Sequence, residues 1–166
     1  MTGRRPVTGA TDAADRVRTA VSEVRDPEID VTLADLGVLR ALEVADGRVR
    51  VVLAPTRVAC PGRSAMADGV RRAVAGVLPD AEVDIEWRPG AWRADQVSAQ
   101  GLRVLRCGGY GVAGREVTVG IRRCPYCGSG QVAGAGRFGG SVCKTPFHCR
   151  SCGSAFDELG SADDIE

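Results

Sequence analysis

Two Cys-x-x-Cys pairs near the carboxyl end constrain this chain of 166 residues more than any other feature. Cys124 and Cys127 form the first pair, and Cys149 and Cys152 form the second pair after an interval of 21 residues. This spacing is typical of the four thiolate ligands of a small metal ribbon. The sequence therefore predicts a ribbon-like metal domain at residues 115–160.

The interval between the two pairs offers little apolar surface to bury. Its glycine-rich stretch at 128–140 contains six glycines, and only Val132 and Phe138 are sizeable apolar residues there. Segments of fewer than about 50 residues rarely build a self-sufficient core, whereas a structural zinc ion supplies on the order of 10 to 16 kcal/mol. An iron-sulfur cluster also uses four thiolates and stays open as an alternative. We prefer a zinc ion on Cys124, Cys127, Cys149 and Cys152.

Three further residues could compete for this metal. Cys143 lies six positions before Cys149, and it is predicted either as a neighbouring thiol or as an additional ligand or redox partner. His148, the single histidine, is predicted to be a strand residue that binds nothing, and Cys107 to be a bystander. Gly128 and Gly153 follow the pairs at positions where a positive φ is often required. Disulfide pairing competes with metal binding, but we find no secretory signal at the amino end and expect a reduced, cytoplasmic protein.

Charge and composition exclude several classes of partner. The formal charge is +1, from 22 basic and 21 acidic residues, so neither nucleic acid nor a membrane surface is favoured. Aromatic residues make up 4% of the chain and offer few platforms for stacking bases. No apolar run approaches the roughly 20 residues of a membrane helix. We therefore expect a soluble protein.

The first two thirds of the chain read as an α+β domain at residues 11–106, followed by a linker at 107–114. Thr11 or Asp12 is predicted to cap the first helix, which should stop before Pro27. Asp46-Gly47 between two β-rich runs predicts a hairpin. The predicted order is α-β-β-α-β-α on a small mixed sheet, with the later elements at 38–44, 48–53, 63–78, 83–87 and 94–105.

Cys60 is the second chemical feature of the sequence. Pro61 and Gly62 after it are suited to starting a helix, which would place the thiol near unpaired backbone amides and the positive end of the helix dipole. Such a site favours a thiolate, which can bind iron or attack an electrophile. A small buried cysteine without a function is the alternative. A nucleophilic enzyme has little support, because no histidine lies near Cys60 in the sequence.

Two sets of motifs resemble a known family over residues 17–157. The first set resembles the metal-sulfur cluster assembly domain related to SufT, and the second resembles the tail of the PaaD (or PaaJ) proteins, accessory subunits of phenylacetyl-coenzyme A epoxidase systems. The first set is Asp26-Pro27-Glu28, Asp35-Leu36-Gly37, Pro55-Thr56 and Cys60-Pro61; the second adds Phe138 to Lys144 and Phe156-Asp157 to the cysteine pairs.

The resemblance implies a maturation factor, not a catalyst. It implies that Cys60 is an exposed thiolate that transiently holds iron or an iron-sulfur cluster, with Asp35 and Thr56 as pocket partners. The implied partners are the oxygenase or iron-sulfur reductase subunits of the system, and the iron-sulfur assembly machinery. Arg57-Val58-Ala59 stands where the family usually has an aromatic residue and a glycine. A zinc-ribbon scaffold for an oxygenase of another catabolic or biosynthetic pathway is the alternative.

Overall fold

A computed structural model describes residues 8–112, 122–136 and 142–160, with side chains from residue 12 onward. In these ranges the chain folds as an α+β protein with helices and two small sheets, which confirms the predicted fold class. The helices and strands of the first half follow the predicted order. The end of the predicted linker, the start of the predicted ribbon and Phe138 lie outside the described residues.

The first sheet contains three strands in the order β1-β2-β3. β1 (Leu39–Ala45) and β2 (Arg48–Leu53) are antiparallel, and β3 (Glu82–Trp87) runs parallel to β2. The hairpin turn is formed by Asp46 and Gly47, both at positive φ of 49° and 74°. Because two-residue turns of this kind match the twist of the strands, the Asp-Gly pair predicted the hairpin correctly.

Two helices cover this sheet with their apolar faces. α1 (Thr8–Ser22) and α2 (Arg63–Ala75) pack against each other and against the strands. α1 begins before Thr11, so the predicted cap at Thr11 or Asp12 is wrong, because Gly9 and Ala10 do not interrupt the helix. α2 ends three residues earlier than predicted, at a cap formed by Gly76. The helical side chains buried in the core include Val17, Val21, Met66, Val70 and Val74.

The helix predicted at 94–105 is two elements in the structure. A single 3-10 turn spans Ala94–Gln96, and α3 spans Ala99–Cys107. Ser98 between them is extended, and its Oγ accepts a hydrogen bond of 2.9 Å from the backbone N–H of Gly101. This N-cap starts a new helix instead of continuing the preceding turn. Across the described ranges, we find no helix with the length and apolar character needed to span a bilayer.

The second sheet contains four strands in the order β4-β7-β6-β5. They are β4 (Tyr110–Val112), β5 (Val132–Gly134), β6 (Lys144–Cys149) and β7 (Ala155–Leu159). β4 lies within the segment predicted as a linker, and it pairs in parallel with β7. α3 therefore leads almost directly into the sheet of the second half.

The two halves contact each other through apolar and polar side chains. Cys143 and Leu159 of the second half join the main buried cluster of the first half. Arg57 donates from Nε to the carbonyl of Gly160 at 2.8 Å, and its other guanidinium nitrogen donates to Thr145 Oγ1. The loop before α2 is thereby tied to the strands β6 and β7.

Gly101 allows α3 to approach the loop before β1. A Cβ atom at this position would lie 2.5 Å from the carbonyl oxygen of Asp35, too close for any real contact. We therefore expect Gly101→Ala to destabilise the protein by about 1 to 3 kcal/mol, although alanine favours helix. The measurement is chemical denaturation monitored by circular dichroism.

Gly76→Ala is the matched control for that measurement. Gly76 has a helical φ of −66°, and an added Cβ would meet neighbours at ordinary contact distances from 3.5 Å. We expect this variant to be neutral or slightly stabilising, by up to about 1 kcal/mol. Equal stability of the two variants would show that the close approach at Gly101 is not needed.

Candidate metal centre and cavity thiol

The two Cys-x-x-Cys pairs bring four sulfur atoms together at one end of the second sheet. The sulfurs of Cys124, Cys127, Cys149 and Cys152 all lie within 4.8 Å of one another. The Cys124–Cys152 and Cys127–Cys149 sulfur pairs are 3.8 Å and 3.6 Å apart. Tetrahedral zinc with bonds of about 2.3 Å requires sulfur atoms about 3.8 Å apart. The donor set and its spacing therefore fit a tetrahedral metal ion.

The two pairs share the same backbone geometry. In the first, the N–H of Gly128 donates to the carbonyl of Cys124, and in the second, the N–H of Gly153 donates to the carbonyl of Cys149, each at 2.9 Å. Gly128 and Gly153 have φ values of 72° and 77°, which confirms the positive φ predicted from the sequence. Glycine relieves the steric cost of this left-handed turn, so each pair can point both sulfurs to one side.

A very small apolar core supports the four sulfurs. Phe147 and Phe156 stack with ring centroids 5.8 Å apart, and Val132 packs against them. Arg122 lies 4.8 Å above the Phe147 ring and is ion-paired with the buried Glu158 at 3.1 Å. Two rings and one valine bury too little surface to hold the strands alone, so the fold of this half depends on what binds the sulfurs.

Two of the four crowded thiols, Cys127 and Cys152, have shifted pKa values. The backbone N–H of Ser129 lowers the pKa of Cys127, but desolvation and the three neighbouring sulfurs outweigh it and raise that pKa to about 12. Hydrogen bonding to Ser154 lowers the pKa of Cys152 to about 6. Crowding and hydrogen bonding therefore give Cys127 and Cys152 very different pKa values. A bound divalent cation would favour the thiolate form of all four cysteines.

Cys60 lies in a turn just before α2, as predicted. The exposed thiol that the family resemblance implied is wrong, because Cys60 is only 9% exposed and is hydrogen-bonded to Cys143. The residue lines a cavity of about 510 Å³. The cavity is also lined by Arg63 and Arg71 of α2 and by Trp87 of β3, with Arg63 stacked 4.9 Å above the Trp87 ring. Gly62 directly after the turn would collide with Pro27 at 2.9 Å if it carried a Cβ. The glycine therefore allows the loop at Pro27 to close over the thiol.

Cys143 of the second half is the hydrogen-bond partner of Cys60. This contact is the largest cause that lowers the pKa of Cys60, and despite the opposing effect of burial the pKa falls to about 7. A hydrogen bond from the backbone of Gly62 adds to the lowering, as predicted for a thiol at the start of a helix. Cys60 is therefore substantially a thiolate at neutral pH.

The thiol pair has acidic neighbours on the loop before the first sheet. Asp26 and Glu28 are close enough to Cys60 to raise its pKa by repulsion. Burial raises the pKa of Asp26, and the backbone N–H groups of Glu28 and Ile29, which donate to its Oδ1 at 2.8 Å and 3.0 Å, oppose that rise. Lys144, adjacent to Cys143, lies 3.4 Å from Glu28 and balances this negative charge.

Cys143 is not brought to the four ribbon sulfurs. It precedes β6, whereas Cys149 ends that strand, and six extended residues span roughly 20 Å. The two cysteines therefore lie at opposite ends of one strand. An additional ribbon ligand at Cys143, which the sequence left open, does not fit this placement.

The other predicted residues take varied positions. The carboxylate of Asp35 accepts hydrogen bonds from the hydroxyl of Thr32, at 3.1 Å, and from the hydroxyl of Ser98. These contacts tie the loop before β1 to the N-terminus of α3. Thr56 is half-buried just after β2. Both remain predicted pocket partners of Cys60. His148 is an exposed residue of β6, and Cys107 is exposed at the end of α3.

Two basic residues near the thiol pair were not predicted from the sequence. Lys144 is 8% exposed, and its ammonium lies 5.3 Å from the centre of the Tyr110 ring. A single lysine among 22 basic residues is the signal that could have drawn attention to it. Arg57 could have drawn attention as well, because Arg57-Val58-Ala59 stands where the resembled family usually has an aromatic residue and a glycine. Its contacts with Thr145 and Gly160 are long-range and cannot be derived from sequence patterns.

Comparison with protein-family profiles finds one match in each half of the chain. Residues 14–87 match the family described as iron-sulfur cluster assembly protein. Residues 112–160 match the family described as PaaD zinc beta ribbon domain. The two matches occur in the order in which the motifs were found.

Similar proteins agree with both matches. A putative subunit of the 1,2-phenylacetyl-CoA epoxidase of Escherichia coli K12 is 31% identical over 147 residues, which cover 82% of this chain and 86% of that protein. The Fe-S protein maturation auxiliary factor YitW of Bacillus subtilis is 30% identical over 87 residues, which cover 51% of this chain and 84% of that protein. A solved domain of unknown function (DUF59) from Bacillus anthracis shares the fold, with a TM-score of 0.53, 16% identity and coverage of 60% of this chain and 97% of that one.

The hydrogen bond between Cys60 and Cys143 generates a pH-dependent prediction. Because a thiolate reacts and a thiol does not, we expect iodoacetamide to modify Cys60 in the metal-loaded protein with a rate that rises through a midpoint at about pH 7. Cys143→Ala removes the largest cause of the lowered pKa, so the midpoint should move to higher pH. Peptide mapping by mass spectrometry measures the modification at Cys60 alone.

Cys107→Ala is the control for this profile. It also removes one cysteine, but from an exposed position at the end of α3. The midpoint for Cys60 should be unchanged in this variant. A profile that is the same in Cys143→Ala and in the unaltered protein would contradict the hydrogen-bonded pair.

Proposed function

The chain belongs to the PaaD family, and from that premise we propose that it is an accessory maturation factor for a multicomponent oxygenase of the phenylacetyl-CoA epoxidase type. Its role is to assist the assembly of an iron-sulfur cluster or a diiron centre in that system. It takes part in no turnover of substrate itself. Its partners are the oxygenase and iron-sulfur reductase subunits, together with the iron-sulfur assembly machinery.

The observation that carries this proposal is the position of Cys60. Its thiol lines a cavity in the half that matches iron-sulfur cluster assembly proteins, and neighbouring groups lower its pKa to about 7. A thiolate is the form that binds iron. Cys60 would therefore hold iron or a cluster as cargo, with the cavity as the route of entry and release. Asp35 and Thr56 remain proposed partners of Cys60, although neither of them lines the cavity.

A role as carrier also agrees with the location of the single histidine. Enzymes with a cysteine nucleophile commonly pair it with a histidine base, and here His148 is an exposed residue near the Cys149 end of β6. Cys143, the partner of Cys60, precedes the opposite end of that strand. Five extended residues separate His148 from Cys143, a span of roughly 17 Å. This separation favours metal handling over nucleophilic catalysis.

The ribbon is proposed to hold a structural zinc ion on Cys124, Cys127, Cys149 and Cys152. Four thiolates close a tetrahedral site and leave no open position, which suits a structural ion and not a cargo. The zinc would neutralise the crowded thiolates and fix the ends of β5, β6 and β7. The ribbon would then present a rigid surface for docking the client protein.

A maturation assay tests the function of Cys60. The chain is co-expressed with the oxygenase and reductase subunits in a host that lacks its own copy, and the iron content and activity of the purified oxygenase system are measured. We expect Cys60→Ala to lower both to the level seen without the chain. Cys107→Ala is the control and should behave as the unaltered chain does.

The outcome in Cys60→Ala separates two functions. Full maturation with this variant would refute delivery through Cys60. The chain would then act as an interaction scaffold through its ribbon. Conversion of substrate by the isolated chain would contradict the accessory role altogether.

Metal analysis tests the proposed ribbon zinc. After anaerobic purification we expect about one zinc ion per chain and no visible absorption from a cluster. Cys149→Ser should lose the zinc and the cooperative unfolding of the second half, whereas Cys107→Ser should keep both. Stoichiometric iron and sulfide in the purified protein, lost in Cys149→Ser, would instead assign an iron-sulfur cluster to the ribbon.

A further inference from the structure

The second half contributes a thiol to the site of the first half. Cys143 belongs to the same buried cluster as Cys60, whereas Cys124 and Cys149 belong to the separate small core of the ribbon. Cys60 and Cys143 are 9% and 5% exposed, and they are hydrogen-bonded to each other. Two sulfur ligands from distant parts of the chain therefore meet beside one cavity.

Contacts made by the two residues that follow Cys143 hold it in this place. Lys144 is ion-paired with Glu28 on the loop that packs against the Cys60 turn. Thr145 accepts a hydrogen bond from Arg57, which lies three residues before Cys60. The segment that follows Cys143 is thus attached to the loop of Glu28 and to the loop of Arg57. These contacts keep the sulfurs of Cys60 and Cys143 together.

The chemistry of this pair differs from that of the ribbon. Two sulfurs supply half of a tetrahedral coordination sphere, and Cys60, one of the two, lines a cavity of about 510 Å³. Asp26 and Glu28 repel a thiolate at Cys60, and a cation bound to the two sulfurs would relieve that repulsion. A two-sulfur site with open positions can accept a metal ion from one protein and pass it to another by exchange of ligands.

We propose that Cys60 and Cys143 form a two-thiolate site that binds a single divalent, thiophilic metal ion of the iron(II) class between the two halves of the chain. Both sulfurs bind as thiolates, so each ion that enters releases the thiol protons still present, and the metal changes no oxidation state. The inference rests on the proposed function of Cys60 as a cargo site. It adds a second ligand, and it gives the second half a direct part in holding the cargo.

Cobalt(II) is the probe for this site, because its thiolate complexes absorb in the near ultraviolet and visible. The full-length protein is loaded under anaerobic conditions with one equivalent of zinc, which the four ribbon thiolates bind in preference to a two-thiolate site, and it is then titrated with cobalt(II). Zinc is expected to stay in the ribbon, since cobalt(II) binds such ligands more weakly. We expect one cobalt ion per chain, with a sulfur-to-cobalt charge-transfer band, while the zinc content stays constant.

Cys60→Ser and Cys143→Ser should each weaken cobalt binding at least about tenfold and reduce the charge-transfer band. Cys107→Ser removes an exposed thiol and should leave binding unchanged. Retained zinc and an unchanged melting curve show that the serine variants are folded. If Cys143→Ser fails this check, Cys143→Ala replaces it, and we expect the same weakening of cobalt binding in that variant.

Three results would overturn the inference: no cobalt binding in the zinc-loaded protein, unchanged binding in folded Cys143→Ser, or formation of a Cys60–Cys143 disulfide in place of a metal complex. The maturation assay distinguishes this failure from a failure of the proposed function. Maturation that depends on Cys60 but not on Cys143 retains the function and refutes the shared site. Cobalt binding that needs both cysteines, with maturation that needs neither, retains the site and refutes the function.

Discussion

Crowding of the four ribbon sulfurs is the constraint on which the second half depends. Sulfurs within 4.8 Å of one another repel as thiolates, and the small core around Phe147 and Phe156 offers little to oppose that repulsion. A cation at their centre would turn the repulsion into attraction. It would fix Cys149 at the end of β6, the strand that begins next to Cys143, the partner of Cys60.

Polar contacts determine how the two halves sit on each other. The apolar contribution of the second half to the shared core includes Cys143 and Leu159, while Lys144 and Arg57 each bridge to the opposite half. The Lys144–Glu28 ion pair joins a buried lysine to an exposed glutamate, so desolvation of the lysine offsets much of the attraction. Such a pair penalises any arrangement that leaves its partner unpaired. The contacts of Lys144 and Arg57 therefore set orientation more than stability.

Local patterns predicted much of this fold, and long-range contacts account for most of what they missed. The Asp46-Gly47 hairpin, the helical faces and the positive φ of Gly128 and Gly153 are encoded within a few residues. The strand β4 was missed because Gly111 at its centre carries no strand signal, and its partner β7 lies more than 40 residues away. The meeting of Cys60 with Cys143 has no local signature either. The clustering of the ribbon sulfurs was foreseen because their spacing is itself a local pattern.

Arg57 shows how a departure from a family pattern can have a structural cause. It is the first residue of Arg57-Val58-Ala59, the segment where the resembled family usually has an aromatic residue and a glycine, and it donates to Thr145 and Gly160 of the second half. An aromatic side chain cannot donate these hydrogen bonds to two separate strands. Through these hydrogen bonds Arg57 couples the loop of Cys60 to the ribbon. The fold of the ribbon would in turn depend on its bound metal. Under the proposed function, the two metal sites are then linked. A zinc ion held permanently by the four ribbon sulfurs would help to position Cys143, which together with Cys60 would take part in metal exchange.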